Sequence, residues 1–455
     1  MAERLVVIGG DAGGMSAASQ VRRRRPDVDI VALEMGQWTS YSACGIPYVV
    51  GGVVDGLDKL IARSPAEFRD RYRIDVRLGH LATAVDLAGR EVEVRDLGRD
   101  RSFRLGFDEL LIATGAAPAR PDVPGVDQPW IRGVQTLGDA TELLELIAAD
   151  PPGRVVIVGG GYIGLEMAEA FLHRGAAVTV VERAPEVMGT LDPDMGALVS
   201  DALRDLGADV RCGTALSGFD EGSVLTDRGD IPADLAILGT GVRPNSALAA
   251  AAGIALGAKD AIAVDRRQRS SAEGVWAAGD CCESFHLVTR RPVHIALGTV
   301  ANKQGRVAGI NIAGGYATFP GVVGTAVSKV CGVEVARTGL TESEAAAAGF
   351  LHRAATIRST TRAGYYPEAS PITVKIVVEE GTARVLGGQI VGREGAAKRV
   401  DVLATAVTAG MTAQDLVDLD LSYAPPFSPL WDPVQVAARA VLRGGDATRP
   451  TEGGR

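Results

Sequence analysis

Two stretches of the chain carry the same order of apolar and polar positions. In the first, Leu5-Val6-Val7-Ile8 is a continuous apolar run, followed by Gly9-Gly10-Asp11-Ala12-Gly13-Gly14 and a helical stretch from Met15 to Arg25. Ile30-Val31-Ala32-Leu33 then reads as a second strand that ends at Glu34. In the second stretch, Val155-Val156-Ile157-Val158 leads into Gly159-Gly160-Gly161-Tyr162-Ile163-Gly164, a helix over 165–174 and a strand over 177–181 that ends at Glu182. Short runs without polar interruption predict strands buried on both faces, and the strand–helix–strand order predicts a βαβ unit in a parallel sheet. Three more apolar strands end in small residues: Leu110 to Gly115, Leu235 to Gly241 and Gly274 to Asp280. After about residue 320 the texture changes. Thr373 to Val378 and Val385 to Ile390, with Gly381 between them, read as a hairpin-containing sheet, flanked by helical patterns over 342–349 and 396–409.

The expected fold is therefore α/β, with two Rossmann-like dinucleotide-binding domains and an α+β C-terminal domain. Residues 1–115 and 243–320 are expected to form the first domain, interrupted by the second at 116–242. The C-terminal domain follows at 321–445, and 446–455 is a polar, glycine-rich tail.

The glycines carry a physical reason. They allow a tight turn after the first strand and let backbone N–H groups approach a pyrophosphate at a helix N-terminus. The acidic residue about 20 positions on accepts hydrogen bonds from a ribose diol. One such unit is weak evidence, but two complete units are strong. The first departs from the pattern at Asp11, which occupies the position of the second glycine. A carboxylate there repels pyrophosphate unless it turns away or accepts hydrogen bonds from nearby backbone.

Composition narrows the function class. With 46% hydrophobic and 23% charged residues the chain is globular, and its net charge of −9 argues against nucleic acid as a bulk partner. The run Arg22-Arg23-Arg24-Arg25 reads as a solvated helix end, with an anion site as the alternative. No signal peptide or membrane span is expected, because the chain enters a strand at once and its apolar stretches are short. Five scattered cysteines are no disulfide framework, and a reducing, cytoplasmic location follows. Five histidines without ligand spacing predict no metal site.

Cys44, in Tyr41-Ser42-Ala43-Cys44-Gly45-Ile46-Pro47-Tyr48, lies ten positions beyond Glu34 and has no second cysteine at C-x-x-C or C-x4-C spacing. A lone thiol beside a dinucleotide site points to redox chemistry on an external sulfur or oxidant; the alternative is a small buried turn residue. Pro47 suits the first turn of a helix and places Cys44 before its positive end, where a thiolate is favoured. Cys281-Cys282 reads as a pair of buried structural thiols, with a vicinal redox pair as the other reading, and Cys212 and Cys331 read as core.

Over roughly residues 4 to 440 the chain resembles the pyridine nucleotide-disulfide oxidoreductases, flavoproteins with FAD and NAD(P) domains and a dimerisation domain. The resemblance implies that Gly9, Gly13, Gly14, Glu34, Thr114, Gly115 and Asp280 hold FAD, and that Gly159, Gly161, Gly164, Glu182 and Gly241 hold NAD(P)H. Glu182 favours NADH, whereas Arg183 could attract the extra phosphate of NADPH, so the coenzyme stays open. Glu166 resembles a family glutamate near the nicotinamide, with a helix-surface carboxylate as the equal alternative.

Position 49 is Val and no His-Pro pair occurs, so the C-x4-C branch with its histidine base does not fit. Cys44-Gly45-Ile46-Pro47-Tyr48 is similar to the single-cysteine branch: coenzyme A-disulfide reductases, persulfide reductases, and NADH oxidases or peroxidases. Ala43 stands where many members carry Asn, and the chain leaves no room for an appended rhodanese domain. Tyr423-Ala424-Pro425-Pro426-Phe427-Ser428 and Tyr365-Tyr366-Pro367 resemble the segments that bring tyrosines into the partner subunit's site, with Tyr365 preferred over Tyr366.

The implied activity is FAD-dependent, NAD(P)H-driven reduction of coenzyme A disulfide or a related persulfide by a homodimer. Cys44 is then the redox centre, and Tyr423 and Tyr365 hydrogen-bond or protonate the leaving thiolate, with packing at the subunit interface as the alternative for both. Coenzyme A, held on Cys44 as a mixed disulfide, carries a phosphorylated ADP, for which Arg22, Arg63, Lys303 and Arg306 are candidate contacts. The alternatives are an NAD(P)H oxidase or peroxidase that cycles Cys44 through sulfenic acid, and a flavin redox sensor or electron-transfer partner.

Overall fold

A computed structural model of the protein describes residues 3–444; residue 445, expected to close the C-terminal domain, and the expected tail at 446–455 lie outside the described residues. Two five-stranded parallel sheets share the arrangement of four strands and differ in the fifth, an edge strand that is last in chain order in the first sheet and first in the second. In the first, the strands run Val275–Ala277, Glu109–Ile112, Arg4–Ile8, Asp29–Leu33 and Asp75–Arg77 across the sheet. In the second they run Asp209–Arg211, Ala177–Val181, Arg154–Val158, Leu235–Leu238 and Ile131–Gly133.

The uninterrupted apolar runs have a direct cause, because both faces of each central strand are covered. Val6 and Ile8 pack into one hydrophobic cluster and Leu5 and Val7 into another. Likewise Val155 and Ile157 face one cluster, and Val156 and Val158 the other. The helices that follow the glycine turns span Ala12–Arg24 and Tyr162–His173, each beginning three residues before the sequence pattern suggests. Tertiary packing recruits the glycines into the helix start, where helix propensity alone disfavours them.

Two three-stranded antiparallel sheets escape the sequence reading, one of them Leu216–Asp220, Ser223–Thr226 and Ile231–Pro232. His80–Asp86, Glu91–Asp96 and Arg101–Gly106 form an antiparallel meander inserted in the first domain. Its alternating charged positions carry no apolar run to reveal it. Chain passage into and out of the second domain runs through a two-stranded ribbon, Ala116–Pro118 against Val242–Pro244.

The C-terminal domain is a five-stranded antiparallel sheet in the order Ala326–Val330, Val333–Gly339, Val385–Gly392, Pro371–Glu379 and His352–Thr360. The last helix described, Pro433–Leu442, packs on it. A buried polar junction ties this sheet to the second domain. Lys375 Nζ pairs with Asp192 at 3.3 Å, Asp194 at 2.8 Å and Glu342 at 2.6 Å. Gln389 donates to Asp192 at 2.6 Å, and Arg337 donates to Thr190 O and pairs with Glu344. No helix is long and apolar enough to cross a membrane among the described residues.

Candidate active site

The two glycine turns are braced in the same way. Glu34 Oε2 accepts from Gly10 N at 2.8 Å and its Oε1 from Gly36 N at 2.7 Å. Glu182 Oε2 accepts from Gly160 N at 2.7 Å and its Oε1 from Ala184 N at 2.7 Å. Gly9 and Gly159 adopt φ +112° and +104°, and a Cβ on Gly9 would stand 2.0 Å from Ala113 O. A Cβ on Gly14 or Gly164 would strike the carbonyl of Gly9 or Gly159, so both let the helix approach its strand. Gly13 lies against the Ala278 carbonyl, while Gly161, Gly115 and Gly241 face space that no side chain fills. The Thr114 hydroxyl donates to Asn245 O at 2.6 Å, holding the crossing between the domains.

Asp280 follows the strand Val275–Ala277 and carries a buried Oδ1 with no hydrogen-bond partner among the described residues. Burial raises its carboxyl, and His294 offsets part of that rise. Such an orphan beside an open glycine turn is what a ligand hydroxyl would satisfy. These residues fit the flavin nucleotide that the sequence implies.

Cys44 sits in a single helical turn, Ala43–Gly45, directly before the short helix Ile46–Val50, which has Pro47 in its first turn. That helix packs on the second domain: Ile46, Val49 and Val50 share a cluster with Leu165, Met167 and Phe171, and Arg174 donates to Val50 O. Cys44 keeps exposed surface, yet its thiol is raised, by burial first and by the Glu166 carboxylate next. The expectation of a thiolate favoured by the following helix is therefore corrected. The helix has five residues, and desolvation with a nearby carboxylate outweighs its field.

Glu166 is not a plain surface carboxylate. It is half-buried, it accepts from the Ser328 hydroxyl at 2.7 Å, and burial raises its carboxyl.

A cleft of about 260 Å³ opens beside this loop, lined by Ser16, Gln20, Arg23, Ser40, Arg63 and Arg306 among others. The structure thus brings Arg63 and Arg306 together, as the sequence suggests, but not Arg22. The Arg22 guanidinium donates to the carbonyls of Tyr72 at 2.9 Å, Pro26 at 2.7 Å and Arg73 at 2.8 Å, so it braces a loop. Its neighbour Arg23 points into the cleft. Lys303 is exposed on the helix Gly298–Ile312 without lining the cleft. A sequence signal existed for the missed residue: Ser16, Ser19, Gln20 and Arg23 are spaced i, i+3, i+4, i+7, one polar face of one helix.

Tyr365 and Tyr423 are 78% and 47% exposed, respectively, whereas Tyr366 is half-buried. Ala363 N donates to Pro425 O at 3.1 Å and joins their segments. The Tyr365 hydroxyl is raised by desolvation and by Tyr423 beside it. Phe427, Leu430 and Trp431 extend the same exposed stretch of chain.

Cys281 and Cys282 are buried, with Cys281 Sγ directed at the Ile112 and Ala278 carbonyls and Cys282 Sγ at Gly279 O. Cys212 and Cys331 are half-buried at the edge of a hydrophobic cluster rather than inside it.

Residues 3–305 match the model of the pyridine nucleotide-disulphide oxidoreductases, and residues 325–433 match the dimerisation domain of the same group. The chain belongs to this family. A CoA-dependent NAD(P)H sulfur oxidoreductase of Pyrococcus furiosus is 41% identical over 96% of this chain and 99% of its own length. An NADH oxidase of Methanocaldococcus jannaschii is 35% identical over 97% of this chain and 99% of its own. Among solved structures, a NAD-dependent persulfide reductase from A. fulgidus superimposes with a TM-score of 0.94 at 40% identity, over 97% of this chain and 83% of that one. As a family member, the chain is an FAD-dependent NAD(P)H oxidoreductase, and residues 325–433, which carry the C-terminal sheet, match the dimerisation domain.

Proposed function

We propose that the protein is a homodimeric, FAD-dependent reductase that uses NAD(P)H to reduce coenzyme A disulfide or a related persulfide through Cys44. The FAD domain spans 1–115 and 243–320, the NAD(P) domain 116–242 and the dimerisation domain 321–445. The carrying observation is the cleft: an exposed lone thiol stands four residues from Ser40, whose side of the loop borders a pocket with three arginines.

Bound FAD would take a hydride from NAD(P)H and supply an electron pair to sulfur. Asp280 with Gly9, Gly13 and Gly14 would hold the flavin nucleotide, and Glu182 with Gly159, Gly161 and Gly164 the nicotinamide one. Arg23, Arg63 and Arg306 would bind the phosphates of coenzyme A, with Lys303 at the rim. The Cys44 thiolate attacks one sulfur of coenzyme A disulfide, giving a mixed disulfide and releasing one coenzyme A thiolate. Two electrons and a proton then return Cys44 to thiolate and release the second coenzyme A as thiol. Tyr423 and Tyr365 of the partner subunit would donate protons to the departing thiolates.

The test is anaerobic NADH and NADPH oxidation by purified holoenzyme with coenzyme A disulfide or coenzyme A persulfide, for wild type and Cys44→Ser. Intact mass is taken before and after reduction. Turnover that the substitution abolishes, with a coenzyme A-sized adduct on Cys44, supports the reading. Disulfide turnover that survives Cys44→Ser overturns it. The NADH oxidase relative favours a second reading, in which Cys44 passes through sulfenic acid; rapid oxygen consumption without any disulfide would select it.

A further inference from the structure

Asp11 departs from the glycine fingerprint, and its surroundings give it a role. Its backbone is extended, with φ −118° and ψ −154°, so no left-handed conformation demands glycine there. Although it precedes the helix Ala12–Arg24, its side chain makes no capping bond to that helix. Oδ1 instead accepts a hydrogen bond from Tyr41 N at 3.1 Å. Two bonds reach Gly10 from the same loop: Ser40 N donates to Gly10 O at 3.1 Å, and the Thr39 hydroxyl donates to it as well. On its other side the loop is held by Ser42 N to Leu60 O at 2.9 Å and Ala62 N to Ser40 O at 2.8 Å. The segment that carries Cys44 is thus suspended between the phosphate turn and residues 60–62.

Asp11 carries the one polar side chain in the turn of residues 9–14. We propose that Asp11 is a positioning residue for Cys44: its carboxyl oxygen holds the Tyr41 amide and so fixes the redox loop to the phosphate-binding turn.

The carboxyl need not be charged to do this. Burial raises it most, the Tyr41 amide pulls it back, and Glu34 and Asp280 add to the rise, leaving it at about 6. A neutral oxygen acceptor serves the tether equally, so an amide should replace it and a glycine should not.

The inference rests on the reading of Cys44 as the redox centre, but its test uses neither coenzyme A nor nicotinamide. A failure of either reading is therefore distinguishable from a failure of the other. Holoenzymes of wild type, Asp11→Gly and Asp11→Asn are compared by amide hydrogen exchange over residues 39–45, by the iodoacetamide alkylation rate of Cys44, and by flavin content. Asp11→Gly restores the fingerprint residue and should keep the flavin. Its loop amides should exchange and its thiol react about two- to tenfold faster, the scale of one lost hydrogen bond. Asp11→Asn should stay within about twofold of wild type in exchange. Equal exchange and alkylation in Asp11→Gly and wild type would overturn the proposal. So would an Asn variant as loose as the Gly variant, or loss of flavin from Asp11→Gly, which would assign Asp11 to the nucleotide instead.

Discussion

The Ser328 hydroxyl donates to Glu166 Oε1 at 2.7 Å, joining the first strand of the C-terminal sheet to the helix that follows the second glycine turn. Glu166 is also the leading charged group that raises the Cys44 thiol, after burial. Three domains therefore meet at one carboxylate.

The first prediction follows from that carboxylate. A negative neighbour disfavours the thiolate, so Glu166→Gln should lower the thiol pKa of Cys44. The pH midpoint of iodoacetamide alkylation at Cys44 should move down. An unchanged or rising midpoint would show that Glu166 does not act on this thiol.

The two adjacent arginines should separate binding from folding. Arg23→Ala should raise KM for a coenzyme A substrate about tenfold, with kcat and melting temperature nearly unchanged, as expected for one lost phosphate contact. Arg22→Ala should leave KM alone and destabilise the fold by about 1–2 kcal/mol, because carbonyls of Tyr72, Pro26 and Arg73 lose their donor. Steady-state kinetics with thermal unfolding of both variants checks this, and exchanged phenotypes would refute the assignment of the cleft.

For the tyrosines, Tyr423→Phe and Tyr365→Phe should each reduce kcat for disulfide about tenfold or more, while Tyr366→Phe stays near wild type. Because the two segments are hydrogen-bonded through Ala363 and Pro425, the double variant should lose less than the product of the single losses. Full multiplicativity would mean that the two side chains act independently.

Lys375 is expected to be a stability residue. Burial alone would push its ammonium down, but the hydrogen bonds it donates to Asp194 and Glu342 and the charge of Asp192 raise it to about 12. A lysine raised when folded contributes fully below its unfolded value of 10.5 and loses that contribution only as pH rises through about 12. At pH 7, Lys375→Met should cost about 3 kcal/mol, because it strands the buried Asp192 carboxylate. Chemical denaturation measures it. A loss below about 1 kcal/mol would show that the junction relaxes without its cation.

Legibility in the sequence followed the range of the interactions. The double βαβ pattern was readable because strands such as Leu5–Ile8 and Val155–Val158 must be apolar on both faces wherever they occur. The meander at 80–106 was missed although Glu91-Val92-Glu93-Val94 alternates, with Val92 and Val94 buried, because its strands are short and lack the long apolar runs of the parallel sheets. Arg23 was missed for Arg22 although a helical period separates them by about 100° around the axis. The packing of residues 72–73 against the helix end, which claims Arg22, is invisible in the chain's order.

By itself, then, the sequence determined the two glycine turns, the lone thiol at Cys44 and the family, because glycine spacing and apolar periodicity are local and are imposed by backbone geometry. Tertiary structure alone decided which arginines share the cleft, that burial and Glu166 hold the Cys44 thiol up, that Tyr365 rather than Tyr366 stands exposed beside the Tyr423 segment, and that Asp11 grips the Tyr41 amide. Each of these depends on contacts between residues about 30 to 280 positions apart, whose energies are set by distance and burial in space and not by separation along the chain.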